Sequence, residues 1–168
     1  MKYFEMIQEN VESHYTLKDL KWCRSKDEDI GIIEFSGSCE DIPDFLSYKR
    51  YFFVSEELKK VIEMFSYELT FQLVVFNNLD MKTQKQYYSI NVPMISGLDE
   101  ETTYLKNGEV NHIVLNYEKI RDNQVFKLEE LEINQYSKQH LFVNLDIVES
   151  ILRRELWGCE FKEVSLRG

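Results

Sequence analysis

The chain contains no alanine, and its 168 residues include only two prolines, Pro43 and Pro93, and six glycines. Alanine is the best helix former, so its absence removes the usual filler of long helices. Tyr, Phe, Ile and Val stand in its place and suit pleated, half-buried surfaces, so more strand than helix is expected. Basic residues are short as well: 20 Lys+Arg against 30 Asp+Glu give a net charge of −10. With no cationic excess to neutralise phosphates, a nucleic-acid or anionic-membrane binder is excluded. Long apolar runs are missing; the longest, Tyr51-Phe52-Phe53-Val54 and Leu73-Val74-Val75-Phe76, reach four residues, whereas a membrane span needs about 20. The start, Met1-Lys2-Tyr3-Phe4-Glu5, lacks the apolar stretch of a secretory leader. Three cysteines, Cys23, Cys39 and Cys159, are odd in number and without Cys-x-x-Cys spacing, so they read as reduced thiols.

What is present points to a globular protein. Aromatic residues make up 14% of the chain, far too many for a disordered one. A chain of this length buries roughly 70% of its unfolded surface, enough for one real core. The expectation is one cytoplasmic domain over residues 1–168, with a loop-rich acidic part at 1–47 and a regular part at 48–164.

Along the chain, 3–7 is a short strand candidate in a polar lead-in. Residues 21–47 are punctuated by Asp27-Glu28-Asp29, Ser36-Gly37-Ser38 and Ile42-Pro43-Asp44 around one apolar run at 30–35. From Tyr51 the signals become regular. Tyr51-Phe52-Phe53-Val54 reads as a buried strand, Ser55 as an N-cap, and Leu58, Val61, Ile62 and Phe65 as one helix face. A strand at 69–76, apolar enough to be buried on both faces, pairs with 86–92. Residues 93–108 look irregular, and 110–117 and 124–128 are two further strands joined by the polar stretch 118–123. At the end, 141–143 is a strand, Asn144 an N-cap, Ile147, Val148, Ile151, Leu152 and Leu156 a helix face, Gly158 the C′ residue, and 159–164 extended. Phe53-Val54-Ser55 matches Phe142-Val143-Asn144, and Phe71 matches Phe161. Two related strand–helix–strand halves, or two such units alike by chance, both explain the match. The fold class is α+β: mostly antiparallel strands with two capped amphipathic helices at about 55–66 and 145–157.

Catalytic chemistry finds little support. His14, His112 and His140 are scattered, and no phosphate-cradling glycine loop, nucleophile elbow or zinc-helix motif occurs. Cys23 and Cys39 are separated by 15 residues without a second pair, unlike a structural zinc site. No catalytic residue, metal centre or cofactor is expected. An enzyme would require His112 or His140 to converge with a carboxylate or Cys159 in a cleft.

The surface offers more. Segment 22–51 interleaves the acids Asp27, Glu28, Asp29, Glu40, Asp41 and Asp44 with the aromatics Trp22, Phe35, Phe45 and Tyr48. Acids rimming aromatic anchors are what an interface to a basic protein requires. Trp22, Asp27, Glu28, Asp29, Glu40, Asp41, Asp44, Phe45 and Tyr48 are therefore the candidate partner interface. The plainer reading is a solvated loop whose aromatics help close the core.

Three stretches carry a resemblance. Residues 51–62 (YFFVSEELKKVI) give an aromatic-valine-serine-acidic helix start, residues 86–92 (QYYSINV) a Tyr-Tyr-x-hydrophobic-Asn strand, and Trp157-Gly158-Cys159-Glu160-Phe161 follows the closing helix. Over about residues 43–164 the chain resembles predicted immunity protein family eleven of bacterial polymorphic toxin systems. The resemblance implies an α+β fold and a cytoplasmic, non-catalytic protein that binds and neutralises a cognate toxin domain. It supplies no active site to carry over. Where many relatives have a glycine-leucine-aspartate step before the middle helix, this chain has Glu40-Asp41-Ile42-Pro43-Asp44. With the acidic balance, the expected partner is a basic toxin, not a nucleic acid or a membrane. A small enzyme and an oligomeric scaffold are the alternatives.

Overall fold

The computed structural model describes residues 1–10, 14–24, 26–134 and 137–168. Its first half runs β1 (Tyr3–Gln8), β2 (Thr16–Leu17), β3 (Lys21–Arg24), β4 (Asp29–Ser36), β5 (Phe45–Tyr48), β6 (Tyr51–Ser55), α1 (Glu56–Phe65), β7 (Thr70–Asn78) and β8 (Thr83–Asn91). The second half runs β9 (Met94–Ile95), β10 (Thr103–Tyr104), β11 (Val110–His112), β12 (Val114–Asn116), α2 (Tyr117–Ile120), β13 (Val125–Leu128), β14 (Leu141–Asn144), α3 (Leu145–Arg153) and β15 (Cys159–Arg167). The class is α+β with mostly antiparallel pairing, as the alternation of aromatic and β-branched residues predicts.

Both long helices start at their expected caps. Ser55 Oγ accepts from the Leu58 amide and Asn144 Oδ1 from the Ile147 amide, each at 3.2 Å. Each bond satisfies one of the donors that a helix start leaves free. Helix α3 stops earlier than the apolar spacing suggests. Glu155 takes a left-handed φ of 55° and Gly158 one of 88°, so the chain has left the helix before Leu156. Leu156 still packs on the central core, from the turn rather than from a helix face.

Several local expectations are corrected. Residues 21–47 are not a loop-rich stretch: they carry β3, β4 and most of β5. Gly31 lets β4 take its place, because a Cβ there would lie 2.9 Å from Leu20 and 3.0 Å from Val74. Strand β7 is fully buried on one face only, with Val74, Phe76 and Asn78 inside and Phe71, Leu73 and Val75 half-buried. The stretch 110–117 breaks at Ile113 into β11 and β12, which pair in different sheets, and Tyr117 opens the single turn α2.

The strands form two sheets and a separate ribbon, β10–β11. One sheet has the order β2-β4-β7-β8-β6-β5, with β3 also on β4; the other has β12-β15-β1-β14-β13-β9. Five successive strands of the two orders correspond, β4 with β12, β7 with β15, β8 with β1, β6 with β14 and β5 with β13, while β2 and β3 at one end and β9 at the other have no counterpart. Pairing senses agree throughout. The first of these strands runs parallel to the second in both sheets, and every other matched pair is antiparallel. Side-chain roles agree too. Tyr87 in β8 and Tyr3 in β1 are both fully buried. The Tyr87 hydroxyl donates to the Ile42 and Pro43 carbonyls at 3.0 and 2.8 Å; that of Tyr3 donates to those of Ile120 and Asn123 at 3.3 and 3.1 Å. The repeat is thus topological. Its one permutation is that the chain's N-terminal strand fills, in the second sheet, the slot that β8 fills in the first.

Both helices sit in a shared central core. Leu58, Val61 and Ile62 of α1 join Ile147, Val148 and Ile151 of α3, with Val54 and Ile90 from one sheet and Met6 and Val143 from the other. Separate apolar clusters back the sheets, around Phe53, Phe76 and Tyr87 in the first and around Tyr3, Phe126 and Phe142 in the second. The halves are also clipped by backbone bonds. Asp44 N donates to Trp157 O at 3.1 Å, while Trp157 N donates to Asp44 Oδ2 at 2.9 Å.

Candidate functional site

Strand β1 is central in its sheet, and alternation places Tyr3 and Glu5 on the face turned away from the helices. Glu5 lies in register with Phe142 on β14 and Lys162 on β15 and is 5% exposed. A carboxylate so placed needs partners. His140 stacks on Phe142 with ring centroids 6.4 Å apart, and its Nδ1 donates to Glu5 Oε1 at 2.7 Å. Lys138 Nζ is 3.7 Å from the same oxygen. Burial by itself would raise the Glu5 pKa; the His140 hydrogen bond and charge, with Lys138 and Lys162, more than offset it and hold the carboxyl below the ordinary range.

Hollows in the surface gather around this pair. A cavity of about 150 Å³ has Glu5, His140, Lys162, His112 and Ser165 in its walls. A groove of about 700 Å³ lies beside it, between the turn of the β10–β11 ribbon and the segment carrying Leu131 and Ile133. A third hollow of about 300 Å³ shares Glu5 and Lys138. The groove wall is apolar in places: Val110, Leu131 and Ile133 line it, and Ile133 is 70% exposed. His112 and Ser165 are paired at 3.3 Å between Nε2 and Oγ. Among the described residues, no group of three or more His, Cys, Asp or Glu is arranged to hold a metal ion.

The predicted interface residues do not converge. Asp27, Glu28 and Asp29 are exposed at the β3–β4 turn, whereas Glu40 and Asp41 follow the opposite end of β4 on a 3-10 turn, Cys39–Asp41. An eight-residue strand separates the two groups by about 23 Å. Trp22 is half-buried, 6.3 Å from the Tyr51 ring. Phe45 is fully buried in the central core and cannot touch a partner. Asp44 is half-buried and holds the Trp157 backbone, and the Tyr48 hydroxyl donates to the Leu17 and Lys18 carbonyls at 3.3 Å. These three serve the fold because the segment that carries them is strand packed on strand.

Sequence reasoning missed Glu5, Lys138 and Lys162. A signal existed for the first: a lone charge at the centre of Tyr3-Phe4-Glu5-Met6-Ile7 marks a strand position where apolar residues flank it on both sides. The enzyme reading asked for a histidine meeting a carboxylate in a cleft, and His140 meets Glu5. Cys159 is not part of that meeting. It is in register with Gln8, packs against the helix-side core, and burial first, then Asp44 and Glu9, push its thiol up to about 12.

An α+β protein of two sheets with matching strand order and a cleft around the buried Glu5 is the class these features define. The model of the immunity protein family Imm11 matches residues 33–165, and the chain belongs to that family. The match starts before the stretches that suggested it, taking in the second half of β4 and the Glu40–Asp44 step. No curated protein matches the chain.

Proposed function

We propose that the protein is a cytoplasmic, non-catalytic inhibitor that binds a cognate bacterial toxin domain and neutralises it stoichiometrically. Family membership over residues 33–165 carries this reading. The net charge of −10 supports a basic toxin, since opposite charge accelerates encounter. Of the acids, Asp27, Glu28 and Asp29 are exposed together at one turn, which places them best to steer such a partner.

The test is co-expression. The toxin domain encoded beside this gene should arrest growth when produced alone, and this protein should restore growth and co-purify with the toxin. Continued arrest with both proteins produced would contradict the proposal. The enzyme alternative rests on the His140–Glu5 hydrogen bond. Among the described residues no nucleophile shares that bond; Ser165 pairs with His112 instead.

A further inference from the structure

The duplication provides an internal control for the groove. In register, Ser89 stands where Glu5 does, Phe53 where Phe142 does and Gln72 where Lys162 does. Two residues before the paired phenylalanine, Tyr51 stands where His140 does. The first half closes this face with rings: Tyr51 stacks on Phe53 at 5.8 Å and meets Trp22 at 6.3 Å. The architecture therefore folds without a charged group at this place. A buried polar pair contributes little stability compared with apolar packing, so the Glu5–His140 hydrogen bond is better explained by what the cleft receives.

The donors left over say what that is. Glu5 is engaged by His140 and Lys138. Lys162 Nζ, whose charge also acts on Glu5, and His140 Nε2, a donor when the ring is protonated, make no hydrogen bond among the described residues, and both residues line the 150 Å³ cavity. Its other carboxylate, Glu163, is paired with Lys2 at 2.9 Å. Within an acidic molecule, this is a small cavity with one ammonium, that of Lys162, outside the ion pairs and the His140 ring beside it, sized for a carboxylate and a few waters. The adjoining groove, with Val110, Leu131 and Ile133 in its walls, suits the chain that would bring one. We propose that the cleft is a carboxylate-binding site, filled by an acidic side chain that the toxin inserts beside His140 and Lys162. The occupant rests on the toxin-binding reading above; the carboxylate site does not.

Two arms test it. In the first, sodium acetate is titrated at constant ionic strength while the histidine ring resonances are followed by NMR. His140 and His112 should shift saturably and His14 should not; equal or non-saturating shifts of all three overturn the site. In the second, Lys162→Gln installs the residue the first half already carries at this register, so the strand is kept. Lys82→Gln at the exposed β7–β8 turn makes the same change of charge elsewhere. Toxin affinity should fall at least about ten-fold for Lys162→Gln and stay unchanged for Lys82→Gln. Saturable acetate binding with full toxin affinity in Lys162→Gln overturns the toxin as occupant and leaves a free carboxylate as the ligand. If the unmodified protein binds no toxin, the occupant falls with the functional reading, and the acetate arm still decides the cleft.

Discussion

Tyr3 and Tyr87 do the same work in the two halves: a buried hydroxyl donates to two carbonyls of the segment that leads into the next strand but one of its sheet, β13 for Tyr3 and β5 for Tyr87. Burial is the main reason each phenol is held well above its ordinary pKa, Tyr3 up to about 12. Removing either hydroxyl takes a donor from two carbonyls, of which Ile120 O keeps Asn123 N and Ile42 O keeps Lys85 Nζ, so Tyr3→Phe and Tyr87→Phe should each cost about 1–2 kcal/mol in urea unfolding. Unequal losses, one near zero, would contradict the equivalence. Glu5 makes a prediction in pH. Its folded pKa is lowered, so the stability it contributes is complete above the ordinary glutamate pKa and disappears as pH falls through the folded value. Glu5→Gln should therefore destabilise by about 1–3 kcal/mol at neutral pH, with the difference from the unmodified protein shrinking in acid. Of these residues only the aromatic strand positions were legible in the sequence. The His140–Glu5 pair joins residues 135 apart, and no local pattern announces such a contact.

The elements were read best where local chemistry decides them. Ser55 and Asn144 cap as expected because a cap is a contact across three residues, and each substitution to alanine should cost about 1 kcal/mol, measured by thermal unfolding. The end of α3 was misread because it is set by packing from afar. A Cβ at Gly158 would stand 2.3 Å from Pro43 Cβ, and its φ is 88°. Both strain and overlap oppose a side chain, so Gly158→Ala should destabilise by about 2–4 kcal/mol. A loss below 1 kcal/mol would show that the clip between the halves does not hold them. Strands β3 and β4 were missed for the opposite reason. Their turn residues and charges imitate a loop, and only pairing with β7 and the absent side chain of Gly31 make β4 an interior strand.

Across the molecule, the repeat signalled by Phe53-Val54-Ser55 and Phe142-Val143-Asn144 extends to the strand order of both sheets, which sequence could suggest but not demonstrate. Charge behaves differently at this scale than in the sequence. One acidic segment becomes two groups about 23 Å apart, at opposite ends of β4. Reversing Asp27, Glu28 and Asp29 together should slow association with a basic toxin and flatten its salt dependence in stopped-flow mixing. Dissociation should change little, since rim charges act mainly on encounter. An unchanged salt slope would contradict the steering role of this turn.

Stoichiometric neutralisation is the central claim, and titration of the toxin's activity with the purified protein tests it most directly. An inhibitor that works by binding gives a linear loss of activity ending at equimolar protein, with a complex of one copy of each chain. Complete loss of toxin activity well below one equivalent would show turnover and contradict the account.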